Sequence, residues 1–275
     1  AANWQFGAVP TADQTAVFRG HPTVYVRESA YNEETYHQEI SAVEIEEGSS
    51  LTIKPVNIYY PPMSLYAGRV SGGGKLRLWN VGLAAYGDAD TVCDVTVPTV
   101  ELVREIRYLD SQGNHDYPGA RLNGGDAKGL RIFSKIEGDV NLTVQNRVIF
   151  AGDNSGVTGF VDMSSGSGWG QPERYFDSVD SLFPNAIGFK SRGRLFFNFT
   201  SGTAKLGTVD FGESYGASIV MKHGANVTLE VVGGKINDSH NGDGFEVWTR
   251  AEGADDYLRV TGLDTGSGYT KGCAG

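Results

Sequence analysis

Six times along this chain a glycine opens a run in which apolar and polar residues alternate. The runs begin at Gly48 (GSSLTI), Gly73 (GGKLRL), Gly138 (GDVNLTV), Gly193 (GRLFF), Gly224 (GANVTLEV) and Gly253 (GADDYLRV). Alternation of period two is the signature of a strand with one buried face, and glycine supplies the backbone freedom a corner needs. The wider gaps between these glycines are near twice the narrower ones, as if unmarked turns lay within them. Units recurring every ~20–50 residues mean a stacked repeat, in which each unit buries its apolar face only by packing on its neighbours.

The clearest unit is 224–248, GANVTLEVVGGKINDSHNGDGFEVW, where two alternating strands, 227–231 and 245–248, flank a Gly, Asn and Asp cluster. Stacked as coils, such units pair their backbones with the turns above and below and fill the axis with alternate side chains. Val227, Leu229 and Val231 then point inward and Asn226, Thr228 and Glu230 outward; Val140, Leu142 and Val144, and Leu76 and Leu78, follow the same rule. With 38 glycines and 40% apolar residues, the composition fits many short strands separated by turns. The expected class is all-β, a right-handed parallel β-helix with an N-terminal cap. A β-sandwich or jelly roll is the rival, since it too uses short strands with one buried face.

The remaining segments set the expected organisation. Residues 1–42 read as a cap or docking arm, with Trp4, Phe6, Val17, Phe18, Val24, Tyr25 and Val26 among the first 30; residues 43–275 read as the solenoid. Tyr36, Ile40 and Val43 have helical spacing while Val43 and Ile45 alternate, so a short helix followed by a strand is expected over 31–47. The run 91–109 is β-rich around Pro98, which suits an edge or bulged strand. Residues 164–186, opening SSGSGWGQPERYF, read as a surface excursion.

The pattern Gly-Ala-Asn-Val-Thr-Leu, then Gly-Lys-Ile, then Asn-Gly-Asp-Gly-Phe-Glu-Val resembles the right-handed parallel β-helix proteins: phage tailspikes, pectate lyases and secreted bacterial adhesins. The resemblance spans residues 43–260 and implies an extracellular or virion-borne protein that acts on or adheres to glycans. No catalytic signature of those families matches, so no active-site residue is carried over. It also bears on the two cysteines, Cys93 and Cys273. With turns ~4.8 Å apart, residues so distant in sequence lie several turns from each other, beyond the ~7 Å Cα limit for a disulfide, and no Cys93–Cys273 bond is expected.

Candidate chemistry is sparse. Asp238, His240, Asp243 and Glu246 crowd the turns between two strands, where paired carboxylates can serve as acid and base in glycoside hydrolysis and a histidine can assist proton transfer. Polar turns want the same residues for conformational reasons alone. Asp88, Asp90 and Asp94 offer closely spaced oxygens of the kind that suit Ca²⁺, without the EF-hand spacing; otherwise no cofactor is implied. Trp169, with Tyr175 and Phe176 nearby, offers aromatic surface to a sugar or a neighbouring chain, or folds back to cover the solenoid flank. Trp79 and Trp248, on expected strands, read as packing residues. The sequons at Asn141, Asn198, Asn226 and Asn237 also fit strand-edge polar residues, with no glycan implied. No nucleophile elbow, phosphate loop, dinucleotide fingerprint or CxxC occurs.

The 33 acidic against 23 basic residues, a net charge of −10, argue against nucleic acid or an anionic membrane as the main partner, and no apolar run reaches the ~20 residues of a spanning helix. The leading expectation is a non-enzymatic extracellular, cell-surface or virion protein, a spike, decoration, adhesin or filament subunit that self-associates or docks on a neighbouring structural protein. The alternatives are a polysaccharide hydrolase or lyase using outer-face carboxylates, and a carbohydrate-binding module that presents Trp169 to a surface glycan.

Overall fold

The structure is a computed structural model that describes residues 13–26, 38–55, 64–103, 119–125, 128–164, 173–191, 193–211, 217–222, 224–236, 246–249 and 257–262. Among these residues the regular structure is all strand apart from one 3₁₀ turn, in three sheets of ten, six and ten strands. Every strand pairing is parallel. The chain visits the sheets in rotation. Thr15–Phe18, Thr23–Val26 and Gln38–Ile40 lie in the first, second and third sheets, and Ala42–Ile45, Ser50–Pro55 and Ser64–Ala67 form the next rung upon them. A purely parallel sheet cannot be closed by hairpins, so each strand must be joined to the next rung by a path around the stack. A sandwich or jelly roll, built from antiparallel pairs, does not describe this topology.

Among the described residues the first paired strand is Thr15–Phe18, ahead of the boundary expected at residue 42. The helix expected within 31–47 does not reach Ile40, which is buried in the strand Gln38–Ile40; residues 31–37 lie outside the described residues. Ile40 and Val43 are both buried on strands either side of a corner at Ser41, and it is that corner which imitates helical spacing. The β-rich run around Pro98 likewise divides into two strands, Val92–Val95 and Thr99–Val103, in the first and second sheets. Pro98 stands at the corner between them, where no ladder N–H is required, and its carbonyl accepts from Lys135 N at 3.1 Å.

Gly253 lies outside the described residues; of the five other repeat-opening glycines, Gly48, Gly138, Gly193 and Gly224 adopt positive φ. They mark different corners, however: Gly48 precedes a second-sheet strand, Gly138 ends one and Gly193 starts a first-sheet strand. A rung therefore takes anything from 18 residues (Leu130 to Val148) to 39 (Leu83 to Leu122), with the difference absorbed between strands. Where backbones approach most closely only glycine fits. At Gly72, φ is +107° and an added Cβ would lie 2.1 Å from the Ile45 carbonyl oxygen of the rung before.

The core is one continuous column. Val227, Leu229 and Val231 are buried as expected, as are Leu76, Leu78, Val140, Leu142 and Val144. Along the first sheet the register stacks Val43, Val70, Val95 and Ile132, then Phe150, Phe176, Phe197 and Met221, all inward and buried. The change from aliphatic to aromatic coincides with the end of the second sheet at Gly156–Val157. In the following rung its place is taken by a 3₁₀ turn, Val179–Ser181, after which Leu182 and Phe183 are buried; Phe183 packs edge-on against Phe150 and Phe176. Later rungs carry strands of eleven residues, Ser201–Phe211 and Asn226–Ile236. The first half of Asn226–Ile236 pairs with Tyr257–Thr261, whereas it is the second half of Ser201–Phe211 that pairs with Gly188–Ser191.

Segment 173–186 is thus no excursion. Glu173–Phe176 is a first-sheet strand and Phe176 is fully buried, because its position alternates inward. Residues 165–172, with Trp169, lie outside the described residues.

Candidate functional site

The most developed polar surface among the described residues is the outer face of the second sheet. Leu76, Leu78, Val100, Leu102 and Ile136 turn inward there, so the residues between them must face out. Parallel register places Arg77, Glu101 and Glu137 side by side on three successive rungs, with Lys75, Thr99 and Lys135 in the neighbouring column. The result is an ion ladder. Arg77 donates to both oxygens of Glu101 (Nε to Oε2 3.0 Å, Nη2 to Oε1 3.2 Å). Lys75 Nζ lies 3.5 Å from Glu101 Oε2 and 3.2 Å from Glu137 Oε1, and Lys135 Nζ lies 3.1 Å from Glu137 Oε2. Beside it runs a groove of about 500 Å³ lined by Lys75, Glu101, Leu102, Val103, Glu137, Gly138, Asp139 and Val140.

Proton affinities describe what this face can do. The hydrogen bond from Lys135, followed by that from Lys75, outweighs partial burial and holds the Glu137 carboxyl below the usual carboxylate range. Partial burial pushes Glu101 upward, but the Arg77 hydrogen bonds and the Arg77 and Lys75 charges together exceed it, and the net shift is downward. The Glu137 hydrogen bond raises Lys75, with the Glu101 and Glu137 charges acting the same way against desolvation. A glycosidase needs one carboxylic acid kept protonated, and a base needs a lysine brought down toward neutrality. This ladder does the reverse on both counts. Asp88 and Asp153 are also lowered, by hydrogen bonds from Thr91 and Ser155 respectively.

In the next outward column Lys54 Nζ lies 3.2 Å from the centroid of the Trp79 ring. One face of that indole is therefore occupied by a cation, a packing role consistent with Trp79's place on a strand. The outer face of the first sheet carries a different column: Ile149, Tyr175, Phe196 and Val220 are register neighbours on successive rungs. Tyr175 and Phe196 stack with centroids 4.5 Å apart and 13° between planes, and Arg147 sits 4.7 Å from the Tyr175 centroid. Arg147 belongs to the preceding rung and Phe196 to the following one, so both faces of the tyrosine are covered. Of the residues expected to present aromatic surface, Phe176 is in the core, Tyr175 is sandwiched, and Trp169 is not among the described residues.

The three aspartates considered for Ca²⁺ do not converge. Asp88 closes a turn, its Oδ1 accepting from Thr91 Oγ1 at 2.5 Å and Asp90 N at 3.2 Å, while Asp94 sits on a first-sheet strand with Oδ1 4.0 Å from Arg131 Nε. Among the described residues no three His, Cys, Asp or Glu side chains are grouped to hold a metal ion. Asp238, His240 and Asp243 lie outside the described residues; Glu246 opens the strand Glu246–Thr249, whose backbone pairs beside Ser218. Cys93 is a free, buried thiol whose Sγ donates to the Tyr86 carbonyl at 3.1 Å.

The second-sheet ladder was invisible in the sequence as a unit. Lys75, Arg77, Glu101 and Glu137 are scattered over 62 residues of sequence, and only the register shows that they meet. With that geometry established, no family model, curated protein or solved structure matches the chain. The fold defines the class, an all-β chain of parallel rungs stacked on three faces.

Proposed function

We propose that this chain is a closed, right-handed parallel β-helix serving as a non-enzymatic extracellular or virion surface protein, a spike, decoration, adhesin or filament subunit mediating attachment or assembly. The observation carrying this reading is the charge state of the outer carboxylates. Glu101 and Glu137 are held toward ionisation by cations that join neighbouring rungs, and Asp88 and Asp153 by hydrogen bonds within their turns, the reverse of what a glycosidase asks of its acid. A stack whose side chains are spent on joining rungs suits a structural stalk. Self-association, or docking on a neighbouring structural protein, would cover the strand edges at its ends.

The test joins native mass and negative-stain imaging to a depolymerisation assay on a panel of polysaccharides. A trimer, ring or filament with no cleavage is the expected result. Cleavage by the wild-type chain that disappears in Asp238→Asn, Asp243→Asn or Glu246→Gln would overturn the reading in favour of a polysaccharide hydrolase or lyase. Because Thr15–Phe18 is already part of the first sheet, a deletion probing the N-terminal arm should stop at residue 12. An unchanged native mass in that variant would remove the arm as the assembly contact.

A further inference from the structure

We draw no further inference here: the strongest candidate, the outward column of Ile149, Tyr175, Phe196 and Val220 on the first sheet, carries nothing because its rings stack on each other and on Arg147, Ile149 and Val220 are buried, and nothing among the described residues points to an occupant for the face.

Discussion

Tyr175 and Phe176 are neighbours in sequence with opposite surroundings, and replacing each by alanine tests the register of the whole stack. Phe176 is fully buried and meets three rings: Phe150 stacked at 5.5 Å, Phe197 edge-on at 6.0 Å and Phe183 edge-on at 6.4 Å. Truncating a core phenylalanine costs ~3–5 kcal/mol, and three aromatic contacts place Phe176→Ala toward the upper end. Tyr175→Ala loses one stacked pair worth ~0.5–1.5 kcal/mol, one cation–π contact worth ~0.5–1 kcal/mol and the hydroxyl's hydrogen bond to Glu173, worth ~0.5–1.5 kcal/mol. The outer variant should therefore lose ~1.5–4 kcal/mol, less than the inner one. Urea unfolding followed by tryptophan fluorescence measures both, provided the slope with denaturant is unchanged. Slipping a strand by one residue exchanges its two faces, so equal losses, or a larger loss at Tyr175, would refute the assigned register.

Three further outcomes follow from the geometry. Gly72→Ala should destabilise more than Gly48→Ala in the same urea titration: both have positive φ, costing alanine ~1–2 kcal/mol, but only at Gly72 would the new Cβ also strike a backbone carbonyl, while Gly48 faces open space. Equal losses would mean that the close approach to Ile45 is absent. Glu101 and Glu137 have folded-state pKa values below their unfolded ones, so their contribution is fully present above the unfolded value of ~4.3 and is lost as pH falls through the folded values. Being partly exposed, each pair should contribute only ~0.2–1 kcal/mol, and a Glu101→Gln/Glu137→Gln variant should show a shallower loss of stability on acidification; an unaltered acid limb would dismiss the ladder as a stabilising element. Burial pushes the Cys93 thiol upward, so in a Cys273→Ser background a thiol reagent should label the native chain far more slowly than the chain unfolded in guanidinium. Prompt labelling of the native protein would contradict its place in the core.

The repeat was legible because alternation and glycine are local signals. Val227, Leu229 and Val231 read as inward from the 224–248 stretch alone, and they are. Corners misled the reading wherever they interrupted the alternation: Ser41 turns two strands into an apparent helical spacing, and Pro98 joins two strands that looked like one. Phe176 reads as part of an excursion because Gly and Ser precede it, yet register with Phe150 and Phe197 puts it in the core. The glycine spacing suggested a repeat while concealing its length, since those glycines occupy different corners. The ion ladder required long-range pairing, which no single segment contains. The turn carboxylates Asp238 and Asp243 stay where the sequence left them, a composition suited both to corners and to acid–base chemistry.

The 3₁₀ turn at Val179–Ser181 gives the stack a mechanical grain. Up to Gly156–Val157 successive rungs are tied by backbone ladders on three sides; from the 3₁₀ turn onward the second sheet has no strand, and the ladders run on the first and third sides alone. Resistance to flexing there falls on the first and third sides and on the phenylalanines wedged between them. A stack made this way should be stiffer below this level, where three ladders share the load, than above it, where two do. Any load applied at one end would reach the other through the aromatic plug, whose packing therefore governs stiffness as well as stability.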